Sequence, residues 1–474
     1  MNGKEHDMGG RIKRGIIVVI VGLAIWYFPV PAGVKKEAWQ LLAIFVATIV
    51  GLILTPLPMG AVVVIGVVMT TLTDVLKIGP ALSGFANNTV WLIVTAFLVA
   101  RGFIITGLGR RIAYMFIRAF GKKTLGLAYA IVASELVIAP ATPSNTARAG
   151  GILYPIIRSL CSTFGSEPGD SARKIGAFLM KLEYQATVIT SAMFMTSMAS
   201  NPLAVELAKK TANVNLSWGT WALAASVPGL LSLIIVPYLL YKMYPPEIKE
   251  TPQAAEMAHQ ELEKMGSMKR DEKVMLWVFL LILTLWVTAE WTNLDATIVA
   301  FVGVSIMLIT GVIHWNDVLA EKGAWDALIW FGGLVMMASQ LNSLGFMKWF
   351  ATTVGSSLAG WTWLSALIVL MLVYFYSHYG FASTTAHVTA MFPAFLSVAV
   401  AVHVPPYLAA LTLSFFSALN AGITHYGTGP APIYFNAGYT DLKTWWKLGL
   451  IISFVNIAIW MGVGFPWWKV LGLW

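Results

Sequence analysis

Apolar residues along this chain gather in runs of roughly twenty, separated by short polar stretches. That is the pattern of helices crossing a bilayer rather than of strands or half-buried helices. In the first half the runs lie at 15–31, 39–55, 59–76, 90–105 and 218–244, with a longer one at 175–205 interrupted at Ala199-Ser200-Asn201-Pro202. The second half repeats the theme at 274–291, 296–313, 325–341 and 446–465, and its interrupted run, 405–435, breaks at Thr424-His425-Tyr426-Gly427-Thr428-Gly429-Pro430. At 109–120, Ile112, Met115, Phe116 and Ala119 recur at helical spacing opposite Arg110, Arg111 and Arg118. This predicts a helix lying in the membrane interface, and 346–358 is its partner in the second half.

Two further pairs of runs are shorter. The runs at 125–141 and 150–160 flank Pro143-Ser144-Asn145-Thr146-Ala147-Arg148, and those at 364–381 and 388–402 flank Ala382-Ser383-Thr384-Thr385-Ala386-His387. Apolar arms paired around a hydroxyl-rich tip predict re-entrant hairpins, at 124–162 and 362–402. The bland alternative is a pair of ordinary interhelical loops sharing small residues. Against it, Trp91 and Trp330, Leu108-Gly109 and Leu344-Gly345, and Pro155 and Pro393 keep nearly the same separation as the two tips. The chain therefore reads as duplicated halves, 1–244 and 273–474, joined by a Glu- and Lys-rich linker, 245–272, with a short helix. Halves of odd span number are inverted relative to one another, and duplicated halves with broken helices at the midplane mark secondary transporters.

Composition agrees. With 58% hydrophobic and 11% charged residues, the chain is excluded from the soluble globular class. The expected fold is an all-α polytopic membrane protein of two inverted repeats, about eleven transmembrane helices and two re-entrant hairpins. The lone Cys161 excludes an intramolecular disulfide and any cysteine metal cluster, and no cofactor is expected. The net charge of +9 is scattered between apolar runs, which points to membrane topology rather than nucleic acid. Lys and Arg concentrate in the loops that lie inside if the N-terminus is cytoplasmic, predicting a multi-pass protein of the inner (plasma) membrane in that orientation. Arg101, Arg148 and Lys181 then fall within or beside membrane segments.

A charge in hydrocarbon costs at least about 2.5 kcal/mol, so an intramembrane cation is a functional candidate. Arg148 follows Ser144 by one helical turn, and His387 follows Ser383 likewise. In each hairpin a basic side chain thus sits beside the start of the second arm, where backbone N–H groups are unpaired and carry positive partial charge. Two such ends, lined by Ser144, Asn145, Thr146, Ser383, Thr384 and Thr385, suit an anion with acceptors at both ends, such as a dicarboxylate. Asn201 and Thr428, in the two broken runs, are the further contacts expected. Arg148 has two other readings, snorkelling to the interface or pairing with Glu183, and His387 taken alone reads as a core histidine.

The Ser-Asn-Thr hairpin motif in duplicate and the Thr-Gly-Pro of the late broken run resemble the divalent anion:sodium symporter (DASS, INDY-type) family over nearly the whole chain. SNTARAGGILYPI, STTAH and THYGTGPAPIYF are similar to its exchanger branch of bacterial citrate/succinate and tartrate/succinate antiporters and plastid 2-oxoglutarate/malate translocators. The resemblance implies a homodimer, with a scaffold and a moving domain working as an elevator, that exchanges di- or tricarboxylates held by the two tips. Thr384 stands where the family usually has Asn. Arg148 and His387 stand where sodium-coupled members carry small uncharged residues, so these two are expected to substitute for Na⁺ and make exchange Na⁺-independent and obligatory. His387 adds an expected pH sensitivity. The alternatives are a Na⁺-coupled dicarboxylate symporter, an integral membrane enzyme, for which no catalytic motif is present, and a channel.

Overall fold

A computed structural model describes residues 8–356 and 360–474. The first seven residues of the N-terminal segment and the end of the stretch expected at 346–358 lie outside the described residues.

The described residues form helices joined by short turns, with one isolated bridge between Lys123 and Glu250. Among the described residues, nine helices are long and apolar enough to cross a membrane, and Met59–Leu72 and Ala296–Thr310 are shorter apolar helices. Many of these helices are apolar all round because the side facing away from the protein meets lipid. Lys322–Ser343 packs against Asn88–Thr106 and Met59–Leu72, and Asn88–Thr106 also packs against Ala296–Thr310.

Both interrupted runs carry a proline in the first turn of the restarted helix. The first comprises Gly176–Met193 and Ser200–Ala212, with a break at 194–199. This corrects the sequence expectation, which put the break on Ser200-Asn201-Pro202. Those residues are the first turn of the restarted helix, where a proline's missing N–H is no loss. In the second, Pro406–Leu419 passes into irregular chain through Thr424 to Gly429, and Pro430 opens Pro430–Asn436.

Leu108–Phe120 is helical as expected, but Arg111 is not on an open polar face. It is buried, its Nε and Nη2 donate to Glu272 at 2.6 and 3.0 Å, and its Nη1 donates to Gly266 O at 2.9 Å. Ala113, Tyr114 and Ile117 face the protein, whereas Met115 and Phe120 are exposed. The linker helix Pro252–Met265 packs on this helix and buries Ala254, Ala255, Ala258 and Leu262. Thr251 N donates to Lys122 O and Thr124 N to Lys249 O, tying the linker to the base of the first hairpin.

The hairpins pack crosswise. The second arm of the second hairpin, Thr384–Ala401, lies against Ser200–Ala212 of the first broken run. The second arm of the first hairpin, Thr146–Leu153 continuing as Tyr154–Thr163, lies against Pro430–Asn436 of the second. Each hairpin therefore touches the broken run of the other half.

Candidate functional site

The two tips are built alike. In the first, Ser144 Oγ accepts from Ala147 N at 3.1 Å and Ser144 O from Arg148 N. In the second, Ser383 Oγ accepts from Ala386 N at 3.3 Å and Ser383 O from His387 N. Each serine caps the helix that follows it, leaving the backbone N–H groups of Asn145, Thr146, Thr384 and Thr385 at helix starts with no intrahelical acceptor. Both serines are partly exposed, whereas Asn145, Thr384 and Thr385 are buried.

Both hairpins meet on one short stretch of the second break. Asn145 Nδ2 donates to Thr428 Oγ1 at 2.9 Å, while His378, on the second hairpin, bonds Gly427 O through Nε2 at 2.9 Å. Tyr426 adds a hydroxyl bond to Tyr379 O at 2.7 Å. A Cβ on Gly429 would collide with Thr146 Oγ1, so glycine there lets the first tip seat. Of the residues expected at the site, Asn145 reaches Thr428 and Thr146 lies against Gly429, while Ser383 to Thr385 open the helix that packs on Ser200–Ala212. The first tip also reaches the first break, with Asn145 Nδ2 3.3 Å from Met198 Sδ.

Asn201 is occupied elsewhere. Its Nδ2 donates to Ser191 O at 2.6 Å and Phe194 O at 2.9 Å, two carbonyls that the break leaves without helical partners. It braces the chain behind the tip. His425 is likewise engaged, its Nδ1 accepting from Trp446 Nε1 at 3.0 Å.

Below the caps the tips diverge. Arg148 is fully buried, and every guanidinium nitrogen is used: Nε donates to Glu135 Oε1 at 2.6 Å, and Nη1 donates to Thr142 O and Ser197 O at 2.8 and 2.9 Å. Nη2 reaches Thr187 Oγ1 and Ser191 Oγ at 3.3 and 3.1 Å. Arg148 therefore ties the first hairpin to the first broken run. Its counter-ion is Glu135; Glu183, the partner weighed from sequence, stands beside that pair. Thr190 Oγ1 also donates to Glu135 Oε1, at 2.9 Å. The cation expected to make exchange obligatory is thus ion-paired inside the protein.

His387, equally buried, has neutral neighbours. Nε2 bonds Ser377 Oγ at 2.9 Å, and Nδ1 faces Asn420 Nδ2 at 3.4 Å. The rings of Tyr374, Phe381 and His378 lie 4.5, 4.9 and 5.1 Å away.

Sequence reasoning missed Glu135, Ser377, Asn420 and the carbonyls of Thr142 and Ser197. Glu135 carried a signal, as the acid within an apolar arm. The third cation in the membrane region, Lys181, donates from Nζ to Trp445 O at 3.2 Å and lies 4.1 Å from the Trp445 ring centre.

Comparison with known proteins places this arrangement. The family model described as the sodium:sulfate symporter transmembrane region matches residues 11–474. The putative malate transporter YflS of Bacillus subtilis (strain 168) is 54% identical over 460 residues, 97% of this chain and 96% of that protein. Dicarboxylate transporter 1 of Spinacia oleracea chloroplasts is 50% identical over 469 residues, 98% of this chain and 82% of that one. The inner membrane protein YbhI of Escherichia coli (strain K12) is 40% identical over 466 residues, 97% and 98% of the two chains. Among solved structures, the Neisseria gonorrhoeae efflux pump MtrF superposes with a TM-score of 0.58 at 11% identity, covering 98% of this chain and 95% of that one. At that identity the likeness concerns the fold alone.

Proposed function

We propose a function from one settled premise: the chain belongs to the sodium:sulfate symporter transmembrane family, a family of membrane transporters. The cargo is a small dicarboxylate such as malate, succinate or 2-oxoglutarate, with tricarboxylates at the upper size limit, moved in exchange for another across the inner membrane. The observation that supports this reading is that the first serine-capped tip, through Asn145, and the second hairpin, through His378, bond neighbouring residues of one break, Thr428 and Gly427. The two serine-capped helix starts supply N–H and hydroxyl donors, which fits an anion carrying a carboxylate at each end. Ser144, Asn145 and Thr146 take one carboxylate, Ser383, Thr384 and Thr385 the other, and Thr428 orients Asn145. The names of the plant and Bacillus relatives support the cargo class.

Na⁺-independence follows from Arg148. Main-chain carbonyls of the tip and of the first break, Thr142 O and Ser197 O, converge on its Nη1, and carbonyl oxygen is the ligand a hard cation takes. A guanidinium fixed there repels Na⁺ and occupies its ligands. His387 holds the matching position in the other repeat as a hydrogen-bonding group. The two inverted repeats work as a homodimer in which hairpins and broken runs move together past a scaffold, with the N-terminus in the cytoplasm.

Uptake of labelled succinate into proteoliposomes loaded with unlabelled succinate tests the cargo. Four- to six-carbon dicarboxylates are expected to compete, and inorganic sulfate and monocarboxylates are not. Competition by sulfate ahead of every dicarboxylate would overturn the reading.

A further inference from the structure

Behind the first tip lies a cluster with more acid than base. Glu135, Arg148 and Glu183 are all fully buried. Arg148 neutralises one carboxylate, Glu135, through the 2.6 Å contact to Oε1. Glu183 lies on the same face of its helix as Thr187 and Thr190, which bond Arg148 and Glu135, and neither of its oxygens, nor Glu135 Oε2, meets a donor among the described residues. Two ionised carboxylates would leave one uncompensated negative charge in the interior, together with three acceptor atoms lacking donors. An unpaired buried ion is penalised by several kcal/mol even after relaxation, and a buried acceptor without a donor adds to that.

One proton removes the net charge and leaves a single acceptor, the carbonyl oxygen of Glu183, without a donor. We infer that Glu135 and Glu183 hold a single proton between them, with Glu183 as the acid donating its O–H to Glu135 Oε2 and Glu135 as the carboxylate bound to Arg148. The cluster is then neutral, and the site is one for a proton.

The surroundings supply no competing charge. Glu183 lies on Gly176–Met193 and is faced by Glu135 from the first arm of the hairpin, Arg148 from the second, and Tyr434 from the restarted half of the other broken run. Tyr434 donates its hydroxyl to Ala149 O at 2.8 Å and meets Tyr154 edge-on. Among the described residues, the helices Trp218–Met243 and Pro406–Leu419, also packed on Gly176–Met193, present it no charged group. The proton lies one side chain from the main-chain carbonyls of the tip, through Arg148. Its loss frees a negative charge where two broken elements are tied together, so alkaline pH is expected to loosen the tip.

Infrared spectroscopy of the purified full-length protein reads this without any substrate, so its outcome is independent of the anion assigned above. At neutral pH the wild type is expected to show the carbonyl stretch of a buried carboxylic acid that Glu183→Gln removes. Titration to strongly alkaline pH should bleach the band in the wild type and lower its thermal unfolding midpoint, while the midpoint of Glu183→Gln stays flat over the same range. If Glu183→Gln does not fold, bleaching of the wild-type band still decides. A neutral-pH wild type with only carboxylate bands, or an acid band unchanged in Glu183→Gln, would overturn the inference.

Discussion

The two hairpin tips share a backbone and differ in charge. Ser144 and Ser383 cap their helices through the same atoms, and Arg148 and His387 hang one turn further on at equivalent places. Yet Arg148 is held by a carboxylate, two carbonyls and two hydroxyls, whereas His387 sits in an aromatic cage with a serine and an amide. Both tips keep a capped helix start, the feature that would meet either end of a dicarboxylate on the reading proposed above. The group behind the cap was free to diverge because each tip settles its own electrostatics with its own neighbours. The first tip keeps a permanent ion pair; the second is closed by a neutral ring.

Several substitutions can break or sharpen that contrast. The largest effect is expected from Arg148→Met, which leaves Glu135 buried and ionised beside Glu183 and should cost about 3–5 kcal/mol of stability. His387→Gln should cost about 1 kcal/mol, a lost neutral hydrogen bond. Thermal unfolding midpoints of the purified proteins compare the two, and adding Glu135→Gln to Arg148→Met should recover most of the loss. Equal losses for the two tips would erase the distinction.

Asn145→Thr makes the first tip resemble the second and removes the donor to Thr428. The half-saturating concentration for labelled succinate is expected to rise about tenfold, the equivalent of about 1.4 kcal/mol. Thr384→Asn, the reverse exchange on the other tip, should shift it less than about threefold. The caps themselves are predicted to be equal: Ser144→Ala and Ser383→Ala should each lower stability by about 1 kcal/mol.

A cap outside the membrane calibrates the two inside it. Asp441, heading Leu442–Ile459, accepts from Thr444 N at 2.9 Å, and its hydrogen bonds to Thr444 hold its carboxyl below the usual aspartate range. A carboxyl lowered in the folded state contributes fully above its unfolded value of about 3.9 and ceases to contribute as pH falls through the lower folded value. Asp441→Ala should therefore cost about 0.5 kcal/mol at neutral pH and nothing in strong acid, whereas the serine caps should cost the same at both. Unfolding midpoints at the two pH values check this smallest effect.

Much of the fold was legible because run length and hydropathy alone decide which segments cross a bilayer. The helices 36–54, 88–106 and 218–243 lie where the apolar runs placed them. The errors have identifiable physical sources. Pro202 and Pro430 both lie in the first turn of a helix, and the sequence does not say whether a proline marks the break or the restart. Arg111 was placed on the wrong side because lipid is as apolar as a protein core, so an amphipathic pattern cannot tell which face packs inward. At the site, the repeated tips exposed the hydroxyl residues and the two bases. The partners stayed hidden because Glu135 lies on the opposite arm of the hairpin from Arg148, a relation that no helical spacing reveals. Asn201 was misread for a related reason, since its task depends on which carbonyls the break leaves open.

Counterflow in Na⁺-free proteoliposomes tests most directly the claim that Arg148 stands in for a co-transported cation. The account predicts saturable uptake of labelled dicarboxylate that requires unlabelled dicarboxylate inside the vesicle and is unchanged when Na⁺ is added outside. Uptake that depends on an inward Na⁺ gradient and proceeds into vesicles empty of anion would contradict it.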